Sequence, residues 1–197
     1  MKQSYTITKS QFSEFLIKQN SLDTFGFHEW VFYRGMFFND LHAWWGGGGV
    51  RCNPHEGLDF CFYRDRDGLV LGLDAKTKIP LMYEGKIVLI HDDFLGKSIY
   101  VSHDMHDGNM NILHTIYGHT VPLNTLHTEK TLSEGEIIAT ISDAGMKKNI
   151  HPHVHVTVAW LPESFAYEKL NWEVLCNPHI ATLCNPLEFI NCKYRAV

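Results

Sequence analysis

The decapeptide His151-Pro-His-Val-His-Val-Thr-Val-Ala-Trp160 constrains this chain more than any other stretch. Its histidines alternate with proline and valine, a period of two, and residues two apart on a strand share a face. His153, His155 and Thr157 then point one way, and Val154, Val156 and Val158 the other. The valines make an ordinary core face. The imidazoles need another account, because the polar face of a strand serves either solvent or a site. Same-face neighbours lie roughly 6–7 Å apart, so one ring can hold a metal while the next reaches what the metal activates. Taken alone, H-x-H is more simply a solvated strand face. The rest of the chain must supply further ligands before a site is the better account.

The whole chain sets the bounds. Its 197 residues, 45% hydrophobic and 20% charged, are those of one globular domain with a substantial core. No window reaches the apolar length of a membrane span. The opening residues, Met1 to Ser10, lack the basic start, apolar run and cleavage site of a secretory signal. The expected location is the cytoplasm, or outside the membrane if an export signal is hidden. A net charge of −5 argues against nucleic acid as a partner. Five cysteines, an odd number with no C-x-x-C pair, favour free thiols over a disulfide framework.

Along the chain, Phe12, Phe15, Leu16 and Gln19 follow helical spacing, with Thr8 or Ser10 as candidate N-caps. An aromatic stretch from Phe25 to Trp45 then runs into four glycines, Gly46 to Gly49. The run reads as a flexible loop or as a mobile groove wall with Trp44 and Trp45 as stacking surfaces. From there the chain turns β-rich. Short apolar runs predict strands over 58–63, 87–91, 99–103, 111–117, 136–141 and 153–159, separated by turn signals. Strands this short and evenly spaced predict a mainly β fold, an antiparallel sheet or sandwich. An N-terminal helix precedes it, and an irregular C-terminal tail with a short helix near 163–170 follows. The expected organisation is an extension over 1–44, a core over 45–160 and a tail over 161–197 packed on that core.

A second signal is Asn53-Pro-His55-Glu-Gly57-Leu-Asp59. A histidine and an aspartate supply one nitrogen and one oxygen donor, a combination zinc accepts. Fully extended they would stand about 13 Å apart, so a bend is needed. Gly57 permits it and places no side chain between them. Adding His155 gives two histidines and one carboxylate, the ligand set of a catalytic zinc site with a position left for water. The activated water then needs a base and a donor for the developing oxyanion. His153 stands one strand step from His155. A further partner is His119 in Tyr117-Gly-His119, where Tyr117 shares its face if that stretch is extended.

Taken in order, His55-x-Gly57-x-Asp59, Tyr117-Gly-His119, Ser133-Glu-Gly135-Glu and His153-x-His155-Val-x-Val158 resemble the lysostaphin/LytM-type zinc metallopeptidases. The likeness spans roughly residues 45–160 and extends weakly to the Asn185–Phe189 segment. It implies an antiparallel β fold with a groove holding the metal. It also implies Zn2+ bound by His55, Asp59 and His155, with His119 and His153 as non-ligand catalytic histidines whose division of labour stays open. The implied activity is a zinc endopeptidase, and the implied substrates are peptides of the peptidoglycan cross-link type. Two features depart from the pattern. The stretch before H-x-H, residues 143–150, holds one glycine where the family has a glycine-rich turn, and His151 is an additional histidine. Two other readings compete. A non-catalytic or regulatory LytM-like binding module would share the fold. The H-x-G-x-D motif also resembles the phosphohistidine segment of glucose-type IIA phosphocarriers, in which His55 would carry phosphate. The remaining histidines read as ordinary, and no G-x-S-x-G nucleophile elbow is present.

Overall fold

The strand that carries His155, with His153 just before its start, lies inside the larger of two sheets. In a computed structural model, which describes residues 7–146 and 149–197, the helix α1 (Phe12–Gln19) precedes a mainly antiparallel β architecture. The first six residues, part of the stretch on which the reading of the leader rests, and two lysines of the 143–150 turn lie outside the described residues. The strands are β1 (Phe27–Phe32), β2 (Leu58–Phe60), β3 (Phe62–Asp65), β4 (Val70–Gly72), β5 (Lys78–Pro80), β6 (Gly85–Asp93) and β7 (Gly96–His106). They continue as β8 (Asn111–Pro122), β9 (Thr131–Leu132), β10 (Ile137–Ile141), β11 (Val154–Pro162), β12 (Thr182–Cys184) and β13 (Tyr194–Ala196). A short helix α2 (Trp172–Leu175) lies between β11 and β12.

The larger sheet runs β12-β11-β8-β7-β6-β9, with β2 added to β11 and with β10 joining β8 to β5. The smaller runs β13-β1-β3-β4, and its β13–β1 pair is parallel. The predicted strand over 58–63 is in fact two. The chain leaves β11 after Phe60, passes the buried Cys61, and pairs with β1 from Phe62 onward. One segment thus ties the two sheets together.

The main core lies between the sheets and under α1. Phe60 is its hub, with ring centroids 5.5 Å from Phe12, 5.0 Å from Trp30 and 5.3 Å from Phe32. Phe12 and Leu16 bury the helix face, whereas Gln19 is exposed, so the apolar stripe is narrower than its spacing predicts. Gln11 occupies the N-cap position, and the hydroxyl of Ser10 accepts the Phe12 N–H at 3.0 Å. That satisfies one of the amides a helix start leaves open.

β11 divides its faces as alternation predicts. Val154, Val156 and Val158 enter the main core. The opposite face is not solvent. Ala159 and Leu161 join a second apolar cluster with Tyr100, Ile116, Leu170 and Leu175, roofed by the C-terminal segment. His153, His155 and Thr157 are buried too, at the end of the strand where that roof gives way to a cavity.

Candidate metal centre

His55, Asp59 and His155 come together although they are far apart in sequence. Asp59 lies on β2 directly opposite His155 on β11. His55 precedes the strand, where the chain bends, and its backbone is fixed by hydrogen bonds with Asp40 O and the Asn39 N–H. His55 Nε2 stands 3.2 Å from Asp59 Oδ1 and 3.0 Å from His155 Nδ1, and His155 Nδ1 stands 2.9 Å from the same oxygen. Tetrahedral zinc with bonds of 2.0–2.1 Å would hold its donors about 3.3 Å apart, so these separations fit a single ion.

The surrounding groups direct lone pairs inward. His55 Nδ1 faces Phe37 O at 3.0 Å, and a carbonyl can only accept, so the ring proton sits there and Nε2 is bare. His155 Nε2 faces Thr157 Oγ1 at 2.8 Å, which leaves Nδ1 for the centre. Such outer partners fix the tautomer of a metal-binding histidine. The second Asp59 oxygen accepts the Trp44 Nε1–H at 2.7 Å. Burial works against the Asp59 charge, yet the His55 and His155 rings outweigh it and hold the carboxyl well below the usual carboxylate range. Burial pushes the His155 ring downward. Two imidazole nitrogens and a carboxylate oxygen converging in a buried place form a cation site in their donor chemistry.

His119 and His153 stand beside this group, with their ring centroids 4.8 Å apart and that of His119 5.8 Å from His155. The expectation that Tyr117 and His119 share a face is corrected. Tyr117 pairs with Val156, points into the core, and accepts the Met82 N–H on its hydroxyl. Alternation would send His119 the same way. Instead the β7–β8 register slips, so that Gly118 and His119 together lie where β7 offers only Ser98 between Lys97 and Ile99. His119 has φ +64°. This is a β-bulge, a feature that re-aims a side chain, and it turns the His119 ring into the cavity.

Asp93, at the end of β6, holds the bulge. Its Oδ2 accepts the His119 N–H at 2.8 Å, and its Oδ1 faces His119 Nδ1 at 3.3 Å. Burial opposes the Asp93 charge, but the His119 ring and amide outweigh it and keep the carboxyl well below its usual range. His153 Nδ1 donates to His151 O at 2.8 Å, and burial pushes that ring down to about 4. Both rings therefore turn Nε2 toward the cavity. His151 itself is exposed and contributes its carbonyl, not its ring.

The cavity is walled by Trp45, Arg51, Glu56, Phe94, Ile150 and Trp172 around the five site residues. Gly46 to Gly49 all have positive φ and form the tip of a hairpin closed by the Ala43 N–H to Gly49 O bond. Trp44 is not a free stacking surface, because Asp59 occupies its N–H and its ring meets His153 edge-on at 5.0 Å. Trp172 and Asp93 are absent from the sequence reading. Trp172 reaches His155 edge-on at 5.3 Å from the far side of the roof. Asp93 carried one available signal, an acidic pair at the end of a predicted strand. The other histidines lie apart. Buried His103 and His114 each meet a backbone carbonyl through one ring nitrogen and a hydroxyl through the other.

No protein-family model matches the sequence, and no curated protein matches it. Among solved structures the chain is similar to the antimicrobial peptidase lysostaphin from Staphylococcus simulans, at 18% identity over 69% of this chain and 43% of that one, with a TM-score of 0.41. It is also similar to the catalytic domain of the prophage-encoded M23 protein EnpA from Enterococcus faecalis, at 21% identity over 56% and 71% of the two chains, with a TM-score of 0.39. A third is CbpA from L. salivarius REN, at 14% identity over 79% and 83%, with a TM-score of 0.48. The chain spans less than half the length of lysostaphin.

Proposed function

We propose that this chain is a zinc-dependent metallopeptidase that cuts a peptide of the peptidoglycan cross-link type by a metal-activated water. The observation that carries the reading is the convergence of His55 Nε2, Asp59 Oδ1 and His155 Nδ1 within 3.2 Å of one another, beside two further histidines that present Nε2. When bound, the metal lowers the pKa of water and polarises the peptide carbonyl. His119 is suited to take the proton of the attacking water at Nε2, because the positive charge then left on the ring faces the Asp93 carboxylate. His153, kept neutral by burial and by its bond to His151 O, is suited to accept a hydrogen bond from that water and orient it. The apolar walls from Trp45, Phe94, Ile150 and Trp172 limit bulk water around the reacting atoms. The cross-link substrate rests on the sequence resemblance.

Metal analysis with cleavage of a glycyl and D-amino-acid peptide panel tests this. About one zinc per chain is expected, lost in His55→Ala and Asp59→Ala. His153→Ala keeps the metal and loses hydrolysis by roughly 100-fold or more. Zinc at a thousandfold excess over its Kd stabilises the fold by about 4 kcal/mol. A folded protein that cannot take up zinc refutes the proposal, and zinc binding with no turnover favours a binding module.

A further inference from the structure

Arg51 is the one arginine or lysine on the cavity wall among the described residues, and the motifs give it no role. Its side chain is 15% exposed. Nε donates to His42 O at 3.0 Å and Nη2 to Gly35 O at 2.8 Å, while the guanidinium carbon lies 4.2 Å over the Trp45 ring. These contacts hold the guanidinium in one orientation. Nη1 has no hydrogen-bond partner among the described residues. It is not enclosed either, since Arg64 Nε is the only buried side-chain nitrogen or oxygen there without a partner. A fixed guanidinium with an open edge in a cavity is arranged to receive an anion.

Its position selects the anion. Asp59 offers Oδ1 to the histidine nitrogens, whereas Oδ2 faces Trp44 and stands 3.9 Å from Arg51 Nη2. Arg51 therefore stands a carboxylate's width away from the donor group. An oxygen held at the donors is beyond its ordinary reach, but a peptide advances about 3.5 Å per residue, which bridges that gap. With Asp59 facing a divalent cation, the lining that includes Arg51 and Glu56 is net positive and favours a negative group.

We propose that Arg51 forms an anion subsite beside the metal site, taking a free carboxylate on the carbon that bears the amine released by cleavage. Only the identity of the ligand as a peptide rests on the hydrolase reading. Such a carboxylate occurs at a chain end and at a branched cross-link alike, so the subsite selects for the free acid and not for chain length.

The test is calorimetric binding of N-acetyl-triglycine and of its C-terminal amide to the wild-type protein and to Arg51→Gln. The acid binds wild type about tenfold tighter than the amide, as one charge-assisted bond provides. In Arg51→Gln the preference falls below about twofold, while circular dichroism and zinc content are unchanged. Equal binding of acid and amide to wild type, or a preference that survives in Arg51→Gln, overturns the proposal. Because Arg51 also ties Gly35 and His42, the variant can fail to fold. Modification of the wild-type arginines by phenylglyoxal, mapped by mass spectrometry, then decides. The acid must protect Arg51 and the amide must not, and any other pattern refutes the subsite. Cleavage without acid preference removes the subsite and leaves the hydrolase reading intact. Acid preference without cleavage does the reverse.

Discussion

A Cβ added at Gly57 would stand 2.3 Å from Val156 O, 2.8 Å from Thr157 Oγ1 and 2.9 Å from His155 Nε2. The glycine is therefore required by close approach to β11, beyond the bend and the clear space between His55 and Asp59 that its place in the motif predicts. β2 lies so tightly on β11 that any side chain would push the His155 ring away from its partners. Gly57→Ala is expected to destabilise the fold by about 1–3 kcal/mol, as overpacking does, and to weaken zinc binding. Chemical denaturation and a competitive zinc titration measure the two effects, and an alanine variant equal to wild type in both would discount the contact. Thr157 acts on the same ring nitrogen. Thr157→Val keeps shape and removes the hydroxyl that meets His155 Nε2, so zinc affinity is expected to fall roughly 10- to 100-fold and to recover in Thr157→Ser. At this scale the sequence was informative where chemistry and period coincide, as in His55-x-Gly57-x-Asp59 and His153-x-His155. It offered Trp44 only as a stacking surface and gave Asp93 no role, because nothing local says that an indole will reach Asp59 Oδ2 or that a strand end will meet His119.

The site is assembled by pairing strands, and the β8 bulge is its most consequential irregularity. Without the extra residue at Gly118–His119, His119 would follow Tyr117 into the core, a consequence of the one-residue flip that any register slip imposes. Asp93 holds that bulge through its bond to the His119 N–H, and its Oδ1 also accepts the Leu95 N–H of the β6–β7 hairpin. Asp93→Asn preserves size and removes the charge that faces the ring. Hydrolysis is expected to fall by about 100-fold with zinc stoichiometry unchanged. Steady-state kinetics alongside metal analysis would show this, and a variant with wild-type kcat would deprive the carboxylate of its role. The predicted strands over 87–91, 99–103, 111–117, 136–141 and 153–159 all fall in the larger sheet, because each carries an apolar run long enough to register. β4, β5, β9, β12 and β13 are two or three residues long. β4 is the return of a local hairpin with β3. β5, β9, β12 and β13 exist through partners distant in sequence, as the parallel pairing of β13 with β1 illustrates, and no local pattern announces those four.

Across the whole molecule, stability should depend on pH through histidines that have nothing to do with the metal. His103 on β7 and His114 on β8 are buried, and burial pushes each ring from the ordinary 6.5 to about 4. The folded protein therefore keeps both neutral where the unfolded chain has begun to protonate them. Between pH 6.5 and 4 the unfolded state binds more protons, so stability is complete above 6.5 and declines as pH falls through that window. Each ring contributes up to about 1.4 kcal/mol per pH unit within it. Below about pH 4 the histidine contribution is spent. Asp93, whose carboxyl is held low, then adds a separate loss as pH drops beneath its ordinary 3.8. The two regimes separate in urea titrations run between pH 7 and 3. A steep decline from pH 6.5 to 4 is expected in wild type, and His103→Gln should make it shallower by about 1.4 kcal/mol per unit. Stability that stays level from pH 7 to 5 would mean that the buried rings carry protons in the folded state. That in turn would put a buried charge on each ring without a counter-charge. Glu84 O and Ile112 O can only accept, and they fix one proton at Nδ1 of each ring. A second proton would sit at Nε2 against the hydroxyls of Thr115 and Tyr167, within the sheet and its roof, where no carboxylate partner faces either ring among the described contacts.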